Sequence, residues 1–210
     1  MKLKKEYISK SQNERLYQTP CPVIGLTGGI ATGKSTVSDI LKEKGLPIIC
    51  ADALVKDVYK TEKTITYLKK NHPEVLQDNG IDFPKLREIF FNIKNVKENI
   101  EQLIYSQMPQ AFENALNKFT SPDVIIYDVP LLFEKGLDKL VDVKAVVYCC
   151  EKEQVKRLMK RDSIDETLAN QIISNQMNIE DKKKLADIVI DNSSVTGPIL
   201  DQLLNCFEQS

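Results

Sequence analysis

The sequence predicts an α/β fold, strands alternating with helices. Two observations carry that expectation. Five short apolar runs, at 23–27, 47–50, 124–128, 143–148 and 186–192, are brief and rich in β-branched residues, as buried strands are. Between them, apolar residues recur at helical spacing, as in Val37, Ile40 and Leu41 or Ile100, Leu103 and Ile104.

The first run ends in Leu26 and Thr27 and opens Gly28-Gly29-Ile30-Ala31-Thr32-Gly33-Lys34-Ser35-Thr36. Gly28 to Ser35 fits G-x-x-x-x-G-K-[ST], and the following helix supplies the context that motif needs. Glycines let such a loop turn its N–H groups inward, and the helix N-terminus adds partial positive charge at the same place. Lys34 brings a full charge for the β- and γ-phosphates of a nucleotide, and the Ser35 hydroxyl suits Mg²⁺. The helix is expected over about 34–44, stopped by Gly45.

The second run, 47–50, leads into Asp52. In a parallel sheet that position lies at the carboxyl end of a strand, where ligands bind. Asp52 either caps the helix that follows or takes the proton from an attacking hydroxyl. A carboxylate there would repel a phosphate acceptor, so the second role points to kinases of alcohols.

Residues 55–122 are expected to form a long helical insertion that binds the acceptor, since a crossover of this length exceeds a simple strand–helix–strand link. Leu86, Ile89, Phe90, Ile100, Leu103, Ile104 and Met108 form its core stripes, and 71–80 is a looser region. Asn117-Lys118-Phe119-Thr120 lacks the Asp of the guanine-specificity pattern, which disfavours a GTPase.

The third run ends in Asp128, which either orients Mg²⁺ or serves as turn chemistry. Pro130, Leu131, Leu132 and Glu134 follow as an apolar wall with one carboxylate. Cys149-Cys150 closes the fourth run. Arg157 and Arg161 stand at i and i+4 on one helical face, either a solvated charge face or part of a lid over 151–184 that neutralises the transferred phosphoryl. The last run ends at Asn192, where it could meet an adenine. Residues 194–208 are expected to close the fold as a helix, with Ile199, Leu203, Leu204 and Phe207 inward. Residues 1–21 are expected to be a surface arm.

Composition sets the bounds. The 210 residues suffice for one domain with a real core, and 29 Lys and Arg against 30 Asp and Glu give a net charge of −1. That balance argues against bulk nucleic-acid or anionic-membrane binding. Five cysteines without a C-x-x-C pair, and no apolar run of membrane-span length, point to a reducing, cytoplasmic setting.

These motifs, in this order, resemble the dephospho-CoA kinases. The resemblance covers Val23 to about Asn192: the phosphate loop, Ala51-Asp52, the 129–134 segment, Gln154, Arg157, Arg161 and Asp162, Gln176, and the Ala186-Asp187-x-x-Ile190-x-Asn192 ending. It implies a three-layer P-loop kinase domain over 1–210, with five parallel strands in the nucleotide-kinase order, a CoA-binding insertion and a helical lid. It implies ATP and Mg²⁺ as cofactors and transfer of the γ-phosphate to the ribose 3′-hydroxyl of dephospho-CoA, by a monomer or weak homo-oligomer. Phosphorylation of another small hydroxyl substrate on the same core is the alternative. By the same resemblance Asp52 is the catalytic acidic residue, Lys34 and Arg157 act on the phosphates, and Asp52, Lys56, Pro130, Leu131, Leu132 and Glu134 bind the acceptor. Gly28 to Thr36, Arg157, Arg161 and Asn192 bind ATP, and Ser35 and Asp128 hold the metal. The chain departs from the family pattern at Ala31, Lys56, Phe83 and Tyr105-Ser106. Lys56, Lys85 and Arg87 are then the candidates for the CoA pyrophosphate.

Overall fold

A computed structural model describes residues 1–78, 80–193 and 200–208, with the backbone alone for Phe91 and Lys94. In chain order the elements are β1 (Val23–Gly28), α1 (Lys34–Glu43), β2 (Ile48–Cys50), α2 (Ala51–Tyr59), α3 (Glu62–Asn71), β3 (Leu76–Gln77), β4 (Gly80–Ile81), α4 (Phe83–Asn92), α5 (Lys94–Tyr105), α6 (Met108–Leu116), β5 (Ile125–Asp128), β6 (Val143–Tyr148), α7 (Glu151–Asp162), α8 (Glu166–Ser174), α9 (Ile179–Leu185), β7 (Ile188–Asp191) and α10 (Asp201–Leu204). They fall into two units, Met1–Cys50 with Phe119–Ser210, and Ala51–Lys118.

The first unit holds the sheet. Its five strands run in the order β2-β5-β1-β6-β7, and every pairing is parallel. The expected five strands are all present, with ends shifted by one or two residues. Apolar residues fill β1 because it is the central strand and is buried at every position. One sheet face carries Ile24, Leu26, Ile126, Val143, Ala145, Val147, Ile188 and Ile190, packed with Val37 and Leu41 of α1 and Leu203 of α10. Gly25 belongs to the other face, where a Cβ would lie 2.9 Å from Leu132 Cδ1 and 3.2 Å from Val141 Cγ2. Glycine is needed there so that Leu132 can close on the strand.

The N-terminal residues are not a surface arm. Leu3 and Leu16 are buried, and Leu3 bridges to Phe207 in antiparallel sense. Asp142 gathers the segment: it accepts from Arg15 Nε at 2.8 Å, Lys10 N at 3.0 Å and Val23 N at 2.9 Å. The polar composition of 1–21 hid this, because the anchoring rests on a few buried side chains, the Arg15–Asp142 pair and backbone bonds such as Lys4 N to the Cys206 carbonyl. Of the expected closing helix, Leu203 and Phe207 are buried as anticipated, while Ile199 lies outside the described residues.

The second unit is helical, as expected, but begins at Ala51 and ends at Lys118 rather than spanning 55–122. Its core is Leu54, Val58, Leu68, Val75, Leu86, Ile100, Ile104, Met108 and Phe112, all buried. A two-stranded antiparallel hairpin, β3 with β4, stands where a looser region was expected. Asp52 is the second residue of α2, two past the capping position, and is exposed. The simple capping role is therefore not the one it plays.

Candidate active site

The phosphate loop connects β1 to α1 in the first unit. Gly33 caps α1 at φ 91°, a conformation that favours glycine. Lacking a side chain, it leaves the first-turn amides of Lys34, Ser35 and Thr36 without a side-chain cap. Those donors and the helix dipole form an anion site. Ala31, at the loop tip, also has positive φ, 60°. The side chain of Thr32 turns inward and donates to the Gly29 carbonyl at 2.9 Å. The Thr32 side chain thus serves the loop's own shape. Ser35 and Thr36 are exposed.

Asp128 ends β5, the neighbour of β1, and is buried. The Lys34 ammonium pairs with its carboxylate, and Ser38 Oγ donates to it at 2.6 Å. Ser38 escaped the sequence reading, although it lies four residues after Lys34 and so shares its helical face. Ser35 and Asp128 offer a hydroxyl and a carboxylate, the hard oxygen donors that Mg²⁺ prefers. Among the described residues no group of three or more His, Cys, Asp or Glu gathers as a metal site. An ion held here would draw its remaining ligands from phosphate and water.

The loop is clamped from outside by residues far along the chain. Gln154 Nε2 donates to the Ile30 carbonyl at 2.7 Å, and Gln176 Oε1 accepts from Ile30 N at 2.9 Å. Asn192 Nδ2 donates to the Thr32 carbonyl at 2.8 Å. Arg157, on α7, donates from Nη2 to the Asn192 carbonyl at 2.8 Å, from Nη1 to the Thr32 carbonyl at 3.4 Å, and from Nε to Glu153 at 2.9 Å. Arg157 and Asn192 therefore meet each other at the loop. Arg161 does not join them: it makes a bidentate pair with its neighbour Asp162, at 2.7 and 2.9 Å.

After β5, Pro130 and Leu131 are half-buried. Leu132, expected in the acceptor wall, is fully buried against Gly25 and is a core residue. Glu134 accepts from Met177 N at 3.0 Å and pairs with Lys182 at 2.9 Å.

In the second unit, Asp52, Lys56, Tyr59, Lys60, Phe83 and Arg87 line a cavity of about 650 Å³. One carboxylate and three cations share it with an aromatic pair: Tyr59 and Phe83 meet edge to face, with centroids 5.2 Å apart. Lys85 is not among its lining residues, and Lys60 was not anticipated.

A parallel sheet, a glycine loop feeding a helix N-terminus, and a lysine and an aspartate at the loop define the class: this is a P-loop kinase. The dephospho-CoA kinase family model matches residues 22–197. The dephospho-CoA kinase of Fusobacterium nucleatum is 41% identical over 174 residues, covering 82% of this chain and 90% of that protein. That of Carboxydothermus hydrogenoformans is 41% identical over 197 residues, covering 90% and 94%. Among solved structures, the dephospho-CoA kinase from Campylobacter jejuni superposes with a TM-score of 0.64 at 26% identity, over 87% of this chain and 94% of that one. The chain belongs to the dephospho-CoA kinase family, the kinases of the last step of coenzyme A synthesis.

Proposed function

We propose that the chain transfers the γ-phosphoryl of ATP to the ribose 3′-hydroxyl of dephospho-CoA, with Asp52 as the base. Lys34 and the first-turn amides of α1 hold the β- and γ-phosphates and spread the charge that develops on them. Ser35 and Asp128 would hold Mg²⁺, which when bound neutralises phosphate charge and fixes its geometry. Arg157, seated on the Thr32 and Asn192 carbonyls, brings a positive charge to the outer edge of the loop. Asp52 orients the acceptor hydroxyl and takes its proton. Lys56, Lys60 and Arg87 meet the pyrophosphate of the acceptor, and Pro130, Leu131 and Glu134 contribute to its binding. The enzyme works in the cytoplasm as a monomer or weak homo-oligomer. All five cysteines are free, and no helix among the described residues is long and apolar enough to cross a membrane.

The observation that carries this reading is the shared cavity of Asp52, Lys56, Lys60 and Arg87. A carboxylate among three cations suits a hydroxyl on a molecule that also carries phosphates. The test is a coupled ATP-consumption assay with dephospho-CoA, set against nucleosides and sugars. Dephospho-CoA should be the preferred acceptor. Asp52→Asn should lower kcat by about 10²–10⁴ with ATP binding near normal. Full turnover in that variant would remove Asp52 from the mechanism.

A further inference from the structure

Lys182 is fully buried in α9. Lysine is almost never found so deep unless it is paired. Its two neighbours behave differently: Lys183 lies over the Tyr148 ring at 4.0 Å, and Lys184 pairs with Asp181 in solvent. Only the first lysine of the run turns inward. Its ammonium has three donors and meets three acceptors: the Gly28 carbonyl at 3.3 Å, the Pro130 carbonyl at 3.0 Å and Glu134 Oε1 at 2.9 Å.

Those acceptors lie on the two segments that carry the chemistry. Gly28 ends β1 and opens the phosphate loop. Pro130 follows Asp128 at the end of the adjacent strand, where Leu26 pairs with Asp128. Thr27 Oγ1 donates to the same Pro130 carbonyl at 3.0 Å. The stretch just before α9 repeats the pattern, with Gln176 on Ile30 and Met177 on Glu134. Residues 176–182 thus strap the loop to the segment after β5.

We propose that Lys182 is a positioning residue for phosphoryl transfer, its ammonium fixing the mouth of the phosphate loop relative to the segment that begins at Pro130. Its ion-pair partner Glu134 keeps 20% of its side chain exposed and a bond from Met177 N, so losing the ammonium does not strand a carboxylate in the interior as breaking a fully buried pair does. The charge is kept for what it holds. A shift of about 1 Å between groups that must align for in-line transfer can lower the rate by about 10². The inference rests on reading Gly28 to Ser35 as the loop that holds the ATP phosphates.

The experiment compares Lys182→Met with Lys34→Ala and the unaltered enzyme, reading kcat, KM for ATP and for dephospho-CoA, and Tm. Met matches the length of the stem, and Pro130 and Glu134 keep their bonds from Thr27 and Met177. Lys182→Met should lose about 10² in kcat with both KM values within about threefold and Tm nearly unchanged. A kcat within about threefold of the unaltered enzyme, or a loss confined to the KM for ATP, overturns the proposal. Should Lys182→Met not fold, Thr27→Val removes only the second bond on the Pro130 carbonyl. It should lower kcat by about three- to tenfold, and an unchanged kcat overturns the proposal equally. If Lys34→Ala is fully active, the phosphate-loop reading fails and this inference with it. If Lys34→Ala is inactive while Lys182→Met is not, this inference fails alone.

Discussion

The side-chain amide of Asn192 donates to the Thr32 carbonyl at 2.8 Å and fills the space that a Cβ on Gly33 would need. The end of β7 therefore closes on the phosphate loop only because residue 33 is glycine. Gly33→Ala meets two obstacles at once, φ of 91° and a clash with Asn192. It should weaken ATP binding by about 10² or more, measured by calorimetry with ATP, since the amides that cradle the phosphates would shift. Gly45→Ala is the control: φ is 78° there, but nothing lies within 4 Å of the added Cβ. It should cost about 1 kcal/mol of stability and leave ATP affinity unchanged.

Arg15 and Asp142 form an ion pair at 2.8 Å with side chains 7% and 0% exposed. Removing one partner strands the other charge in the interior. Asp142→Ala should cost about 3–5 kcal/mol in urea unfolding. It also removes the acceptor for Lys10 N and Val23 N, so the N-terminal segment should become the first site of proteolysis. A loss below about 1 kcal/mol would show that the segment is held chiefly by its other contacts, among them buried Leu3 and Leu16 and the bonds of Lys2 and Lys4 to the C-terminal residues.

Ala31 holds φ of 60° at the loop tip. The left-handed region costs a non-glycine residue about 1–2 kcal/mol, while glycine loses about 0.4–1 kcal/mol more backbone entropy on folding. The balance favours glycine, so Ala31→Gly should stabilise the protein by about 0.5–1 kcal/mol and raise Tm by a few degrees in a thermal melt. A lowered Tm would mean that the alanine methyl makes a contact worth more than the strain.

Burial pushes the Cys149 thiol up to about 11, and the hydrogen bond to Glu180, with burial, pushes the Tyr148 phenol up to about 12. Both groups stay protonated in the folded chain at pH values where the unfolded chain releases the proton. The unfolded state then binds fewer protons, so stability falls as pH rises from about 9 to 12. Tm should drop across that window, and Cys149→Ala with Tyr148→Phe should flatten the decline. At pH 8, mass spectrometry after brief alkylation should find the exposed Cys150 modified and the buried Cys149 not. Equal labelling of the two would mean that the end of β6 opens readily.

The sequence by itself determined the phosphate loop, the five strands, Asp128 at the end of one of them, and the family. These are local signals: the spacing of Gly28, Gly33, Lys34 and Ser35 dictates a cradle regardless of what surrounds it. Tertiary structure alone decided which charges lie inside. Lys182 and its neighbours look alike in sequence, and helical periodicity does not say which face will be covered. Arg15 finds Asp142 across a separation of 127 residues, and Arg157 finds the Thr32 carbonyl across 125. Leu132 likewise became core rather than acceptor wall because Gly25, on another strand, leaves room for it. Burial and partner choice depend on how distant segments pack, and no short window of sequence contains that information.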